Sequence, residues 1–214
     1  MFKNLHFSAL VFALFSLVIA QVYPAVAASP TEQTIAGWFQ SLKDAGAKTA
    51  SYDAINIDEA ANTVTIINPK IDWVFKFSQG DSPEFGVSFT TAQVVITGFQ
   101  QEADGFSAKQ YSLPEDAFVK LNILDTNGSV ISVASTLKGI RAEGVFYPRI
   151  TPVPEDPQRP ISRYLHYYNL FLKASVKKSV VDQVLMTQTL NGEDGFAAEY
   201  NGMSAVGMQN GRFE

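Results

Sequence analysis

The chain has 214 residues, 16 of them basic and 21 acidic, with two histidines and no cysteine. Lack of cysteine excludes disulfides, thiolate metal sites and a thiol nucleophile. An acidic chain whose longest basic run is Lys177 with Lys178 lacks the phosphate-neutralising charge that nucleic-acid binding needs.

Residues 1–28 run from a lone positive charge at Lys3 through an apolar block at 9–20 to the small-residue end PAVAAS. This is the pattern of a secretory signal peptide, with cleavage expected after Ala27 or Ala28. No later stretch is continuously apolar for about 20 residues, so no transmembrane segment is expected after cleavage. The remaining residues, 29–214, suit one domain able to bury a core without staples, and a cysteine-free exported chain suits a Gram-negative periplasm.

The mature chain opens with a helix: Ser29 as N-cap, Pro30 in the first turn, Glu32 completing a capping box, and Gly46 as the stop. Ile35, Trp38, Phe39 and Leu42 share one face, which predicts docking on a sheet. From Thr49 the period changes to two. Residues 52–57 and 63–67 flank the hairpin loop DEAAN, and Ile71, Trp73, Phe75 and Phe77 alternate with polar residues. Asn68 and Pro69 shift the apolar phase, predicting a bulge or bend on an edge. After the loop QGDSPEFG, Val87 and Phe89 continue the pattern. Val119, Leu121 and Ile123 lead to the turn DTNG, and Ile131, Val133 and Leu137 return from it. Asp125 and Asn127 resemble part of a calcium loop, but its other ligands are missing.

A phrase of β-type residue, spacer, glycine and apolar residue recurs at residues 94–114, 136–148 and 205–213, each time followed by a second glycine: Gly98 then Gly105, Gly139 then Gly144, Gly207 then Gly211. It reads as strand, turn and return strand, either a true repeat or general hairpin grammar. The third copy stops before a return strand. The chain is therefore expected to continue in a longer protein, or to pair this edge with a partner.

Residues 149–160 hold four prolines and read as an extended connector between a first half, 29–148, and a second half, 161–214. A second helix follows, with Ile161, Tyr164, Leu165, Tyr168 and Leu172 as its apolar face and Tyr167 and Phe171 beside it. Residues 176–190 are read as strands, and NGEDG turns the chain into residues 196–200. The four acid pairs, Asp58 with Glu59, Glu115 with Asp116, Glu155 with Asp156 and Glu193 with Asp194, all fall in predicted turns. There they cannot face one another across a cleft as glycosidase chemistry requires. His166 is alone in the mature chain and reads as a packing or surface residue, and no GxSxG serine motif is present.

The phrases GWFQSLKDAGA, YDAINID, TVTIINPKIDW, VVITGFQQEADGFSA, SRYLHYYNLF and MTQTL resemble uncharacterised exported proteins of alphaproteobacteria. More distantly, the short strands with glycine turns resemble the β-rich repeats of AsmA-like envelope proteins. That likeness implies a curved sheet whose apolar inner face holds lipid, and it carries no catalytic residue. A cleavable signal stands where that family has a membrane anchor.

The expected fold is α+β: a predominantly antiparallel, curved β-sheet, a meander of hairpins, with two amphipathic helices packed on it. The expected function is a non-enzymatic envelope scaffold or lipid-handling module. A periplasmic protein-binding module using exposed strand edges is the alternative, and an acidic hydrolase the third reading. The expected partner is lipid or another envelope protein, without cofactor or metal. Candidate lid or apolar-ligand contacts are Tyr164, Tyr167, Tyr168 and Phe171. Candidate contacts to anionic head groups are Lys173, Lys177 and Lys178.

Overall fold

The computed structural model describes residues 29–76, 84–154, 156 and 158–208. The chain divides into a leading unit, Met1–Pro30, and a body, Thr31–Glu214. The signal-peptide reading, most of the QGDSPEFG loop and the end of the third glycine phrase lie outside the described residues.

The body is a mostly antiparallel curved β-sheet with the shape of a half-barrel. Helix α1 (Pro30–Asp44) is followed by β1 (Ala47–Ser51), β2 (Ala54–Asp58), β3 (Thr63–Ile67), β4 (Lys70–Lys76), β5 (Glu84–Thr91) and β6 (Gln93–Thr97). Then come β7 (Gln100–Glu102), β8 (Gly105–Leu113), β9 (Ala117–Leu124), β10 (Val130–Lys138), β11 (Ile140–Pro148), α2 (Pro160–Leu172), β12 (Ser175–Leu190) and β13 (Glu193–Met208). All thirteen strands belong to one sheet.

Its order, β1-β4-β5-β9-β10-β12-β11-β8-β6-β3-β2, resolves into a simple pattern. β1 runs on into β2, β3 into β4, β5 into β6, β8 into β9 and β10 into β11, each pair separated by a few residues. With the unbroken β12 and β13 these make seven long strands, each antiparallel to the next. The breaks lie side by side and form a crease across the sheet.

The crease is hydrogen-bonded. The Asp53 amide donates to Ile67 O at 2.9 Å and the Asn68 amide to Ala92 O at 2.7 Å. Asn68 Nδ2 donates to Asp53 Oδ2 at 2.7 Å, and Thr91 Oγ1 to Asp116 O at 3.1 Å. Asn68 has φ 49° and Gly139 φ 63°. Such residues let a strand bend by inserting one extra position. The inward parity changes there, from Val64 and Ile66 to Ile71 and Trp73, and from Leu137 to Ile140, so the apolar side remains inward past the bend.

The phase shift at Asn68 and Pro69 is therefore a bend as expected. It lies within the sheet and not on an edge, because β3 pairs with both β2 and β6. The second glycine phrase is corrected: Gly139 and Gly144 (φ 58°) are positive-φ positions within one continuing strand run, and the pairing register does not shift at Gly144. The first phrase does turn, through residues 103 and 104 between β7 and β8. There Gly105 has no room for a side chain, since a Cβ would lie 1.9 Å from Tyr147 O. The NGEDG turn is also shorter than expected. Asn191 (φ 52°) and Gly192 (φ 85°) close the hairpin alone, leaving Glu193 and Asp194 within β13.

Helix α1 covers the half of the inner face made by β3, β6 and β8. Ile35, Phe39 and Leu42 meet Val64, Ile66, Val94, Ile96, Phe106 and Ala108, all at most 8% exposed. Trp38 stands edge-on to Phe106 and Tyr147 at 6.4 Å each.

If the crease depends on Asn68, Asn68→Gly loses the bond to Asp53, about 1 kcal/mol. Asn68→Ala adds left-handed backbone strain of roughly 1–2 kcal/mol. Urea unfolding is expected to rank wild type above the glycine variant and that above the alanine variant; the reverse order of the two variants would contradict this account of the bend.

Candidate functional site

Beyond the crease, β4, β5, β9 and β10 continue the inner face away from α1. Register places their inward residues in rows: Trp73, Val87, Leu121 and Val133; then Ile71, Phe89 and Val119; then Ile123 and Ile131. Every one is only half-buried. Through Gln188 the first row reaches Phe196 of β13 and through Ser135 the second reaches Met186 of β12, while Leu137, Val184 and Tyr200 form a further row. The result is an apolar trough.

Geometry explains the incomplete cover. A helix is about 10 Å wide and strands are spaced about 4.8 Å apart, so two helices cannot roof seven long strands.

Helix α2 sits beside the trough, held by polar contacts. Arg163 Nη2 donates to Ala45 O at 2.8 Å, and the Val153 amide donates to Tyr167 Oη at 3.2 Å. His166 Nε2 lies 3.0 Å from Thr151 O. The Tyr167 ring packs 5.7 Å from Trp73, with the Arg163 guanidinium 6.0 Å from its centre. These contacts set the rotation of the helix. Leu165, expected on the apolar face, is 55% exposed, whereas Tyr167, expected beside that face, meets the sheet. The side chains of Ile161, Tyr164, Tyr168 and Phe171 lie outside the described residues.

Lys173, Lys177 and Lys178 are all exposed. Lys177 and Lys178 are neighbours in β12, where both are exposed. Lys177 lies against Gly144, and Lys178 pairs with Glu143.

The acid pairs stay apart. Asp58 Oδ1 accepts the Ala61 amide at 3.0 Å inside a turn, and the Asp116 carbonyl belongs to the crease. Asp156 accepts from Arg159 Nε at 2.9 Å and from the Gln158 amide at 3.0 Å. The Arg159 bond leads in holding its carboxyl below the usual range. Glu155 lies outside the described residues. Asp125 accepts the Asn127 amide, and its carbonyl receives Gly128 N at 3.1 Å, as a hairpin turn requires. Among the described residues no three histidine, aspartate or glutamate side chains gather as metal ligands, and no helix is long and apolar enough to cross a membrane.

Two further features were not anticipated. On the opposite face of the sheet, a shallow open cavity of about 600 Å³ is lined by Phe118, Lys120, Ala134, Thr136, Leu185 and Glu199, among others. Glu199 accepts from Asn201 and Gln183, each at 2.9 Å, and these bonds hold its carboxyl below the usual range. Under α1, Tyr111 and Tyr147 stand 6.1 Å apart among apolar neighbours. Burial raises both hydroxyls, Tyr147 to about 12 and Tyr111 well above the ordinary value, with Tyr147 adding to the latter.

Trough residues such as Leu121 and Val133 were read as strand positions and not as a site. The available signal was a ratio: too many alternating apolar strands for two helices.

Compared with protein-family models, curated proteins and solved structures, the chain gives no match.

The tyrosines set an alkaline limit. The folded chain retains hydroxyl protons that the unfolded chain releases above the ordinary value of 10.0, so this stability is complete below that pH and is lost as pH rises toward about 12. Urea unfolding at about pH 8 and about pH 11 should show a fall that Tyr147→Phe reduces. An unchanged fall in that variant would assign the alkaline loss elsewhere.

Proposed function

We propose that this chain is an exported, non-enzymatic envelope module that holds an apolar chain, the acyl tail of a lipid, in the trough of β4, β5, β9 and β10. One contrast carries the reading. Under α1 the inward residues of β3 and β6 are at most 5% exposed, whereas those of the trough are apolar but half-buried throughout. Apolar surface gains about 25 cal/mol per Å² on leaving water, so a trough with too little helix to roof it favours a flexible apolar ligand. The resemblance to AsmA-like proteins points the same way, and periplasmic location follows from the signal-like leader. In this reading α2 borders the trough through Tyr167 and Trp73, and Tyr164, Tyr168 and Phe171 share its helix. Lys173, Lys177 and Lys178, all exposed, are the positive charges available to a head group.

The test is native mass spectrometry of the gently purified protein, before and after organic extraction. A bound mass in the acyl-lipid range should disappear on extraction and return after incubation with phosphatidylglycerol and phosphatidylethanolamine vesicles. Leu121→Gln makes the floor polar, whereas Leu121→Trp fills the trough but leaves it apolar. Both should lower bound lipid at least several-fold with cooperative melting retained. Wild-type protein that carries no lipid and takes none from vesicles would overturn the reading.

A further inference from the structure

β13 forms one border of the sheet. It pairs with β12 along its length, and among the described residues no strand pairs with its other edge. From residue 193 to 207 every position is exposed except Ala198, Ala205 and Gly207, which are half-buried. Phe196, Tyr200 and Met203 are each 48% exposed and Val206 57%. The strand contains no proline, lysine or arginine. Those are the residues with which natural edges discourage pairing.

The opposite border is guarded. β1 and β2 have five residues each and are separated by the break at Tyr52 and Asp53. Arg163 of α2 is bonded to Ala45 O just ahead of β1, with its guanidinium against Gly46. Head-to-tail joining of copies is disfavoured for that reason.

We infer that two copies of the chain pair through β13, antiparallel and centred on Asn201, extending the sheet across a twofold axis. The strand is self-complementary about that residue. Positions equidistant from Asn201 face each other, so Phe196 meets Val206 of the second copy, an aromatic with a β-branched residue, a favourable cross-strand pair. Tyr200 meets Gly202, where an aromatic ring covers the bare backbone of a glycine. Glu199 meets Met203 and Asp194 meets Met208. Within β13 the acids all precede Asn201 and the residues after it are uncharged, so antiparallel pairing sets no acid against another. A parallel pairing in register would stack Glu193, Asp194 and Glu199 on themselves. Twofold closure leaves only the two guarded β1–β2 borders at the ends of the joined sheet. This inference does not rest on the lipid reading, since neither trough variant alters β13.

The absence of cysteine allows a direct test. Asn201→Cys places the new thiols at the axis, within disulfide reach, whereas Glu193→Cys separates them by about 50 Å along the strands. Mild oxidation should link the first variant into a dimer and leave the second unlinked. By light scattering, wild type should have twice the chain mass at tens of micromolar. Met203→Glu, which opposes Glu199 with a like charge, should shift it toward monomer by tenfold or more in Kd, and Met203→Lys should not. Far-ultraviolet circular dichroism checks that each variant folds. A monomeric wild type, equal effects of the two Met203 variants, or linking of Glu193→Cys in preference to Asn201→Cys would each overturn the inference.

Discussion

The fold depends on the hydrogen-bonded crease. A regular strand alternates faces with period two, so a strand that bends sharply must either expose its apolar side or insert a residue at the bend. Here neighbouring strands bend at the same place. Asp53 is joined to Asn68, Asn68 to Ala92, and the adjacent Thr91 to Asp116, so breaks in four successive strands are bonded in a line. The polar groups released by interrupting the ladder are satisfied by one another, which removes the principal cost of folding a sheet upon itself. Register is preserved because the interruption is shared.

Folding the sheet gives its two ends different surroundings. On one side α1 lies across β3, β6 and β8, and Val64 and Ile35 fall to 1% exposure. On the other, α2 is anchored through Arg163, His166 and Tyr167 to the chain leading from α1 into β1 and to the connector, and it meets the sheet through Trp73. Polar anchors thus hold α2 with Tyr167 against the sheet, and Leu165 is left facing water.

This difference marks what a sequence makes legible. Local rules revealed the start of α1 at Ser29 and Pro30, the DTNG hairpin, the strand nature of residues 176–190 and the phase shift at Asn68. Each is written in a few adjacent residues. Gly139 and Gly144 read as turn residues because a turn and a bend within a strand draw on the same left-handed freedom of glycine, and only the pairing partner distinguishes them. Glu193 and Asp194 were assigned to a turn because acids are common in turns, although Asn191 and Gly192 suffice. The rotation of α2 was hidden because Arg163 bonds a carbonyl 118 positions away. The candidate site was the least legible part: a trough arises from long-range pairing of strands whose individual patterns look like ordinary core.

The crease also changes character across the sheet. Through the first four long strands it is tied by side-chain and backbone bonds; between β11 and β13 it passes to positive-φ glycines, Gly139 on one side of Asp182 and Gly202 (φ 67°) on the other. Asp182 is held instead by an exposed bidentate pair with Arg141, at 2.6 and 3.1 Å. An exposed ion pair contributes little to stability. Among the described residues β12 and β13 contribute none to the buried set, so ladder bonds and half-exposed apolar contacts hold them. Regions with few buried apolar contacts open most readily. The inner rows run from the fixed core under α1, through the trough, to Phe196 and Tyr200 at the open edge. Along that path the apolar character persists while burial falls, so the surface able to exchange water for an acyl chain or another strand is the surface that the crease fixes least.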